Sequence, residues 1–184
     1  MPRAGLDSET VVDAAAALAD AGGLHWVTLA RLAADLGVRP PSLYAHVGGL
    51  DDLRRRLGVR GAAELAAALG SAAQGRSGAD ALRAVADAYR AYARAHPGTY
   101  AAAQQVPDPN DAQAARQLVD VVLAVLRAYG LEGDDAIHGA RIVRSALHGF
   151  VALESEAGFG IPISLDESYE RLVTVLDHGL RPAT

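Results

Sequence analysis

No cysteine occurs in the 184 residues, which excludes disulfides, thiolate metal sites and thiol catalysis. No lysine occurs either; all 17 cations are arginine. No apolar run approaches the ~18 residues of a membrane-spanning helix, so no membrane partner is expected. Met1-Pro2-Arg3 has no apolar signal core behind it, which argues against secretion and for the cytoplasm. No valine-rich alternation bounded by turns is present, so no sheet is expected. Neither a glycine-rich phosphate loop nor a nucleophile elbow can be found, and enzyme readings gain nothing from the motifs.

What is there points to helices. Forty of the 184 residues are alanine and 51% are apolar, enough for a real core built from the best helix former. The net charge of −5 looks wrong for a nucleic-acid binder, but it is unevenly placed. Residues 1–60 hold seven arginines and seven acids, whereas residues 61–184 hold ten arginines and fifteen acids. The N-terminal third is therefore neutral, and the deficit belongs to the remainder.

Apolar spacing and breakers predict about nine helices. The first runs from Ser8 to Ala21 on Val11, Val12, Ala15, Leu18 and Ala19, capped by Asp7 or Ser8 and stopped by Gly22-Gly23. Thr28 opens a short helix through Leu36, closed by Gly37; Pro40 begins another, to about His46. A long helix follows from about Leu50 to Ala73, then a linker at residues 74–78 and a helix from about Ala79 to Ala95. Pro97-Gly98 is read as a break before one or two turns over Thr99–Gln105, and Pro107-Asp108-Pro109-Asn110 as a second break. Asp111–Tyr129, Asp134–Glu156 and Leu165–Leu180 complete the set. The expected class is all-α, with a helix-turn-helix domain at 1–50, a second helical domain at 51–184, and the helix 50–73 connecting them.

The helices at 28–36 and 40–46 have the layout of a helix-turn-helix, with Gly37 at the turn where φ > 0 is needed. Leu18, Leu32, Leu36, Leu43, Val38 and Val47 could close a three-helix core beneath it. The second helix would offer Arg39, Pro40, Pro41 and Ser42 to base edges in a major groove. Arg39 can fork onto guanine O6 and N7 and Ser42 can pair with several edges. Tyr44, His46 and Thr28 suit phosphate oxygens, and Arg31 completes the candidate set. Helix–glycine–helix corners are also common in all-α cores, and Tyr44 equally suits a half-buried core position.

Residues 6–53 carry a more specific pattern: Ala21-Gly22-Gly23-Leu24, then Thr28 through Val38, then Ser42-Leu43-Tyr44-Ala45-His46-Val47 and Leu50-Asp51-Asp52-Leu53. This run resembles the N-terminal domain of the TetR family of transcriptional repressors. Residues 96–100 and 145–154, with Gly158-Phe159, resemble a ligand-domain subgroup with a Trp-His-Gly-like signature. Here Ala146-Leu147 precede His148-Gly149 and the tryptophan is missing. Two further departures stand out: Arg39 replaces the usual serine cap of the recognition helix, and Leu50 replaces a lysine that would reach phosphate. Arg3 or Arg54–Arg56 are candidates to supply that charge; otherwise the triplet is a solvated face.

The resemblance implies a homodimer on a double-stranded, near-palindromic operator, with two recognition helices ~34–36 Å apart, and a small-molecule effector that releases it. The implied dimer surface lies on the last two helices: Ile142, Ala146, Gly149, Phe150 and Leu153, with Tyr169, Leu172, Val173 and Leu176, some of which must face their own core. The implied effector walls are Leu65, Leu69, Tyr89, Tyr92, Tyr100, Gln104, Leu123, Leu126 and Leu147, with Tyr92, Gln104, Arg144 and His148 as polar anchors. No cofactor or metal is expected; Asp134, Asp135 and His138 have ligand-like spacing, but acids at a helix start simply answer its dipole. The competing reading is an all-α ligand-binding or interaction module that has lost specific DNA binding, which the missing lysine, the uncapped Arg39 and the neutral first third favour.

Overall fold

The computed structural model describes residues 6–105 and 112–181, and among them only helices and their connections occur. They are α1 (Ser8–Gly22), α2 (Leu29–Asp35), α3 (Pro40–Leu43), α4 (Leu50–Ala73), α5 (Gly78–Ala95), α6 (Pro97–Ala103), α7 (Ala112–Leu126), α8 (Gly133–Ser155) and α9 (Leu165–Leu180). Tight three-residue-per-turn segments add Leu24–Trp26 and Arg127–Tyr129. The break expected at residues 107–110, the helix start expected at Asp111, and Arg3 lie outside the described residues.

Contacts resolve two compact units. One holds the described residues up to Glu64 together with those of Ala95–Ala115; the other holds Leu65–Arg94 and Arg116 onward. In the first, α1 buries Val11, Ala15, Ala16 and Ala19 against Val27, Leu32, Leu43, Val47, Leu53 and Leu57. Leu18, Leu36 and Val38 pack around that core only partly buried. Helix α6 joins the same unit: Ala102 belongs to this core. A Cβ on Gly98 would overlap the Ala19 carbonyl.

In the second unit α8 and α9 pack together. They bury Val143, Leu147, Val151, Tyr169, Val173, Leu176 and Leu180. The buried Tyr169 hydroxyl donates to the Ala86 carbonyl at 2.5 Å, tying α9 to α5. Arg90 of α5 is 7% exposed and lies against the Phe150 and Tyr169 rings.

Two helix boundaries differ from expectation. Helix α6 begins at Pro97, so Pro97-Gly98 starts a helix as well as ending one. Its third amide, Thr99 N–H, donates to Asp20 Oδ1 of α1 at 2.7 Å, a cap lent by a residue 79 positions away. Helix α3 stops at Leu43 and gives way to a tighter turn in which His46 N–H donates to the Leu43 carbonyl at 2.9 Å.

Candidate nucleic-acid interface

The site is built on how α2 ends and α3 starts. Thr28 caps α2, its Oγ1 accepting the Arg31 amide at 3.2 Å. The helix then closes on a left-handed glycine, Gly37 at φ 65°, with Val38 N–H donating to the Ala33 carbonyl at 2.9 Å and Gly37 N–H to that of Ala34 at 3.1 Å. This reversal sends the chain straight into α3, which packs on α2.

Arg39 caps α3 with no side-chain hydrogen bond. Pro40 and Pro41 explain why none is needed. A capping oxygen serves the second or third amide of a helix. Here the second residue, Pro41, has no N–H, and the third amide, Ser42, donates to the Arg39 carbonyl at 2.9 Å. The uncapped start is no defect, and it leaves the Arg39 guanidinium without an internal task.

Leu43 and Val47 anchor α3 in the core, whereas Arg39, Pro40, Pro41 and Ser42 are exposed and Tyr44 is 61% exposed. Tyr44 is therefore not the half-buried core residue its type also allows. Thr28 and Arg31 are exposed on the first turn of α2. His46 is half-buried, and its carbonyl accepts from Ser8 Oγ at 3.2 Å.

The start of α4 is filled from within. Asp52 Oδ2 accepts the Gly48 amide at 2.9 Å, and the carboxylate also binds Arg55 and Arg56, each at 2.9 Å. The Arg56 guanidinium and the Gly48 N–H beside it hold the Asp52 carboxyl down at about 2. Arg56 also donates to Ser8 Oγ at 2.6 Å. Arg55 and Arg56 are thus engaged by the start of their own helix. Arg54 is exposed and has no ion pair among the described residues.

The other candidate residues divide by unit. Tyr100 and Gln104 belong to the first; Leu65, Tyr89, Tyr92, Leu123, Leu126, Arg144, Leu147 and His148 belong to the second. Leu65, Leu126, Leu147, Tyr89, Tyr92 and Tyr100 are buried, Leu123, Gln104 and His148 half-buried, and Arg144 exposed. Leu123 also lines a hollow of about 360 Å³ with Arg127, Leu131, Glu132, Gly133, Ala136 and Ile137, residues that the sequence reading did not single out.

Of the residues assigned to a dimer surface, Tyr169, Val173 and Leu176 are spent on their own core. Ala146, Gly149, Phe150 and Leu172 are half-buried, and Ile142 and Leu153 are exposed. Val175 is 67% exposed, because the inward stripe of α9 runs through 169, 173, 176 and 180 and turns it outward. Phe150 is held in a ring contact 5.0 Å from both Phe159 and Tyr169.

Among the described residues no helix is long and apolar enough to cross a membrane. Comparison with known proteins then gives a consistent result. The family described as Tetracyclin repressor-like, C-terminal domain matches residues 82–176. An uncharacterized HTH-type transcriptional regulator of Mycobacterium tuberculosis, Rv0681, is 38% identical over 183 residues, covering 97% of this chain and 84% of that protein. Among solved structures, a Rhodococcus sp. RHA1 protein of unknown function superposes with TM-score 0.82 at 22% identity, covering 99% of this chain and all of that one. A TetR variant from Acinetobacter baumannii AYE, in complex with minocycline, superposes with TM-score 0.74 at 23% identity over 97% of this chain and all of that one. The exposed start of α3, the left-handed turn before it and these likenesses converge: the chain belongs to the TetR family of transcriptional regulators.

Proposed function

We propose that this regulator is a homodimeric repressor that reads a near-palindromic operator with residues 1–50 and is released by a small molecule bound within residues 51–184. One observation carries the reading: Arg39, Pro40, Pro41 and Ser42 are all exposed at the start of a helix whose own amides need no side chain. Arg39 forks onto guanine and Ser42 onto a neighbouring base edge. The Thr28 hydroxyl, already an acceptor for the Arg31 amide, still has its proton to give a phosphate. Arg31, Tyr44 and His46 add phosphate contacts that fix register rather than sequence.

The effector belongs among Leu65, Tyr89, Tyr92, Leu123, Leu126, Leu147 and His148 of the second unit, an apolar and aromatic lining that favours a greasy molecule. The fold shared with the minocycline-bound TetR variant is one that holds a drug-sized ligand in that protein. Release follows if the ligand favours a conformation in which α4 carries the recognition helices off the groove spacing. The protein acts in the cytoplasm, by binding and not by catalysis.

A mobility-shift assay with the DNA flanking its own gene tests this. A specific shift at low salt, competed by the same duplex and not by mixed-sequence DNA, is expected. Dimeric protein that gives no shift would refute the reading.

A further inference from the structure

The chain holds one tryptophan, Trp26, and leaves it 37% exposed. It sits in the tight turn Leu24–Trp26 that leads from α1 to α2. A Cβ on Gly22 would overlap its ring, so only glycine at that position lets the indole lie where it does. The Arg31 guanidinium carbon is 4.1 Å from the centre of that ring. His25 meets the indole edge-on at 6.5 Å.

Arg31 stands in the first turn of α2, where the helix dipole disfavours a cation, and no acid shares that turn. Nor has it an ion-pair partner among the described residues. A cation so placed needs another source of stability. The ring supplies part of it, and it does so from one side only. Stacking occupies the flat face of a guanidinium and leaves its in-plane N–H donors for a bidentate acceptor.

We infer that Trp26 is a positioning residue for DNA binding: the Gly22–Trp26 shelf holds the Arg31 guanidinium by its face so that its N–H edge meets a backbone phosphate. The inference rests on the DNA-reading role proposed above and adds to it a residue that touches no base. Holding a long side chain in one rotamer before DNA arrives lowers the entropy lost on binding. The ring also keeps the cation from folding back onto the acids of its own neutral domain.

The test is a double-mutant cycle in the full-length protein, read by anisotropy of a fluorescein-labelled duplex of mixed sequence at low salt. Trp26→Ala should weaken binding about two- to fivefold per protomer, the range of an exposed cation–π contact. In an Arg31→Ala background the same change should have no effect, and Trp26→Phe should restore most of the loss. Gly22→Ala, which displaces the ring and leaves Arg31 intact, should match Trp26→Ala. Arg31→Ala should also make log affinity less steep against log salt by about one unit per protomer. In DNA-free protein, Arg31→Ala should change the emission of the sole tryptophan while the helical circular dichroism stays the same.

Equal losses for Trp26→Ala in both backgrounds, or none in either, would overturn the inference while leaving DNA binding itself intact. Unchanged tryptophan emission in Arg31→Ala would overturn the shelf. Absence of any binding by the unaltered protein would overturn the DNA-reading role and this inference with it.

Discussion

Arg90 of α5 and Glu154 of α8 meet as a two-pronged pair, Nε to Oε2 at 3.0 Å and Nη2 to Oε1 at 2.5 Å, with about nine-tenths of each side chain buried. Asp166 at the start of α9 takes a third donor of Arg90 at 2.8 Å, and Arg94 reaches Glu154 from the exposed side at 3.0 Å. One carboxylate thus anchors a guanidinium that three helices and two aromatic rings surround. The pair fixes how α5, α8 and α9 meet within the second unit.

Removing Glu154 leaves the buried Arg90 with only the exposed Asp166 as its match. Glu154→Ala should cost about 3 kcal/mol, and Glu154→Gln, which keeps one acceptor oxygen, roughly half of that. Urea denaturation followed by circular dichroism measures both; a loss under about 0.5 kcal/mol for alanine would contradict the account. The pH dependence has a definite sign. Arg90 holds the Glu154 carboxyl below its ordinary value of 4.5, so its contribution is complete above that value and is lost as pH falls through the lowered one. The gap between the unaltered protein and Glu154→Gln should therefore narrow in acid.

Gly98→Ala tests the junction of α1 and α6. The new methyl would overlap the Ala19 backbone carbonyl, which has no rotamer to yield. Overpacking of this kind costs about 1–3 kcal/mol. Hydrogen exchange should show where it is felt: the Thr99 amide, held by Asp20 at 2.7 Å, should lose protection. Protection unchanged at Thr99 would mean that α6 does not depend on this contact.

Nothing near Pro97 in the sequence announced that junction. The ends of α1 and α2 were legible because Gly22-Gly23 and Gly37 act within a few residues of the helices they stop. The start of α6 was not, because its cap is Asp20, on another helix. The exposure of Ser42 and Tyr44 was legible for a related reason: Leu43 goes inward, and its two chain neighbours turn away from it. Arg39, one full turn before Leu43, is outward because it stands ahead of the helix on extended backbone. Trp26 gave no signal, since only the three-dimensional turn brings Gly22 beneath it and Arg31 beside it. Periodicity also identified the apolar stripe of α9 through Tyr169, Val173 and Leu176, but period cannot say whether a stripe meets its own chain or another.

Arg39→Ala and Tyr44→Phe should separate sequence reading from register. Arg39 is exposed on a helix start that makes no demand on it, so its loss should leave folding unchanged. Its removal should erase about 1–3 kcal/mol of discrimination at one base pair of each half-site. Tyr44→Phe removes one hydroxyl from a ring that is 61% exposed and should weaken all duplexes alike. Competition titrations with single-base operator variants distinguish the two patterns. If Arg39→Ala weakened every duplex equally, α3 would not lie in the groove as assigned.

Ile142→Glu and Val173→Glu separate the proposed dimer surface from the protomer core. Ile142 is 55% exposed and Leu153 47%, and they share a face of α8 with Gly149, where a Cβ would meet nothing within 4 Å. On α9, Leu172, Val175 and Gly179 fall at the spacing of one helix face, and Gly179 is equally open. Apolar side chains flanking open glycines suit a second helix approaching closely. A buried charge has no such latitude: Val173 is 2% exposed, and a carboxylate there must either unfold the unit or neutralise. Val173→Glu should therefore lose helical signal and thermal stability. Ile142→Glu should keep both, sediment as a monomer and lose the operator, because a single recognition helix reads only one half-site. A dimeric Ile142→Glu protein with full operator affinity would place the partner on some other face of the second unit.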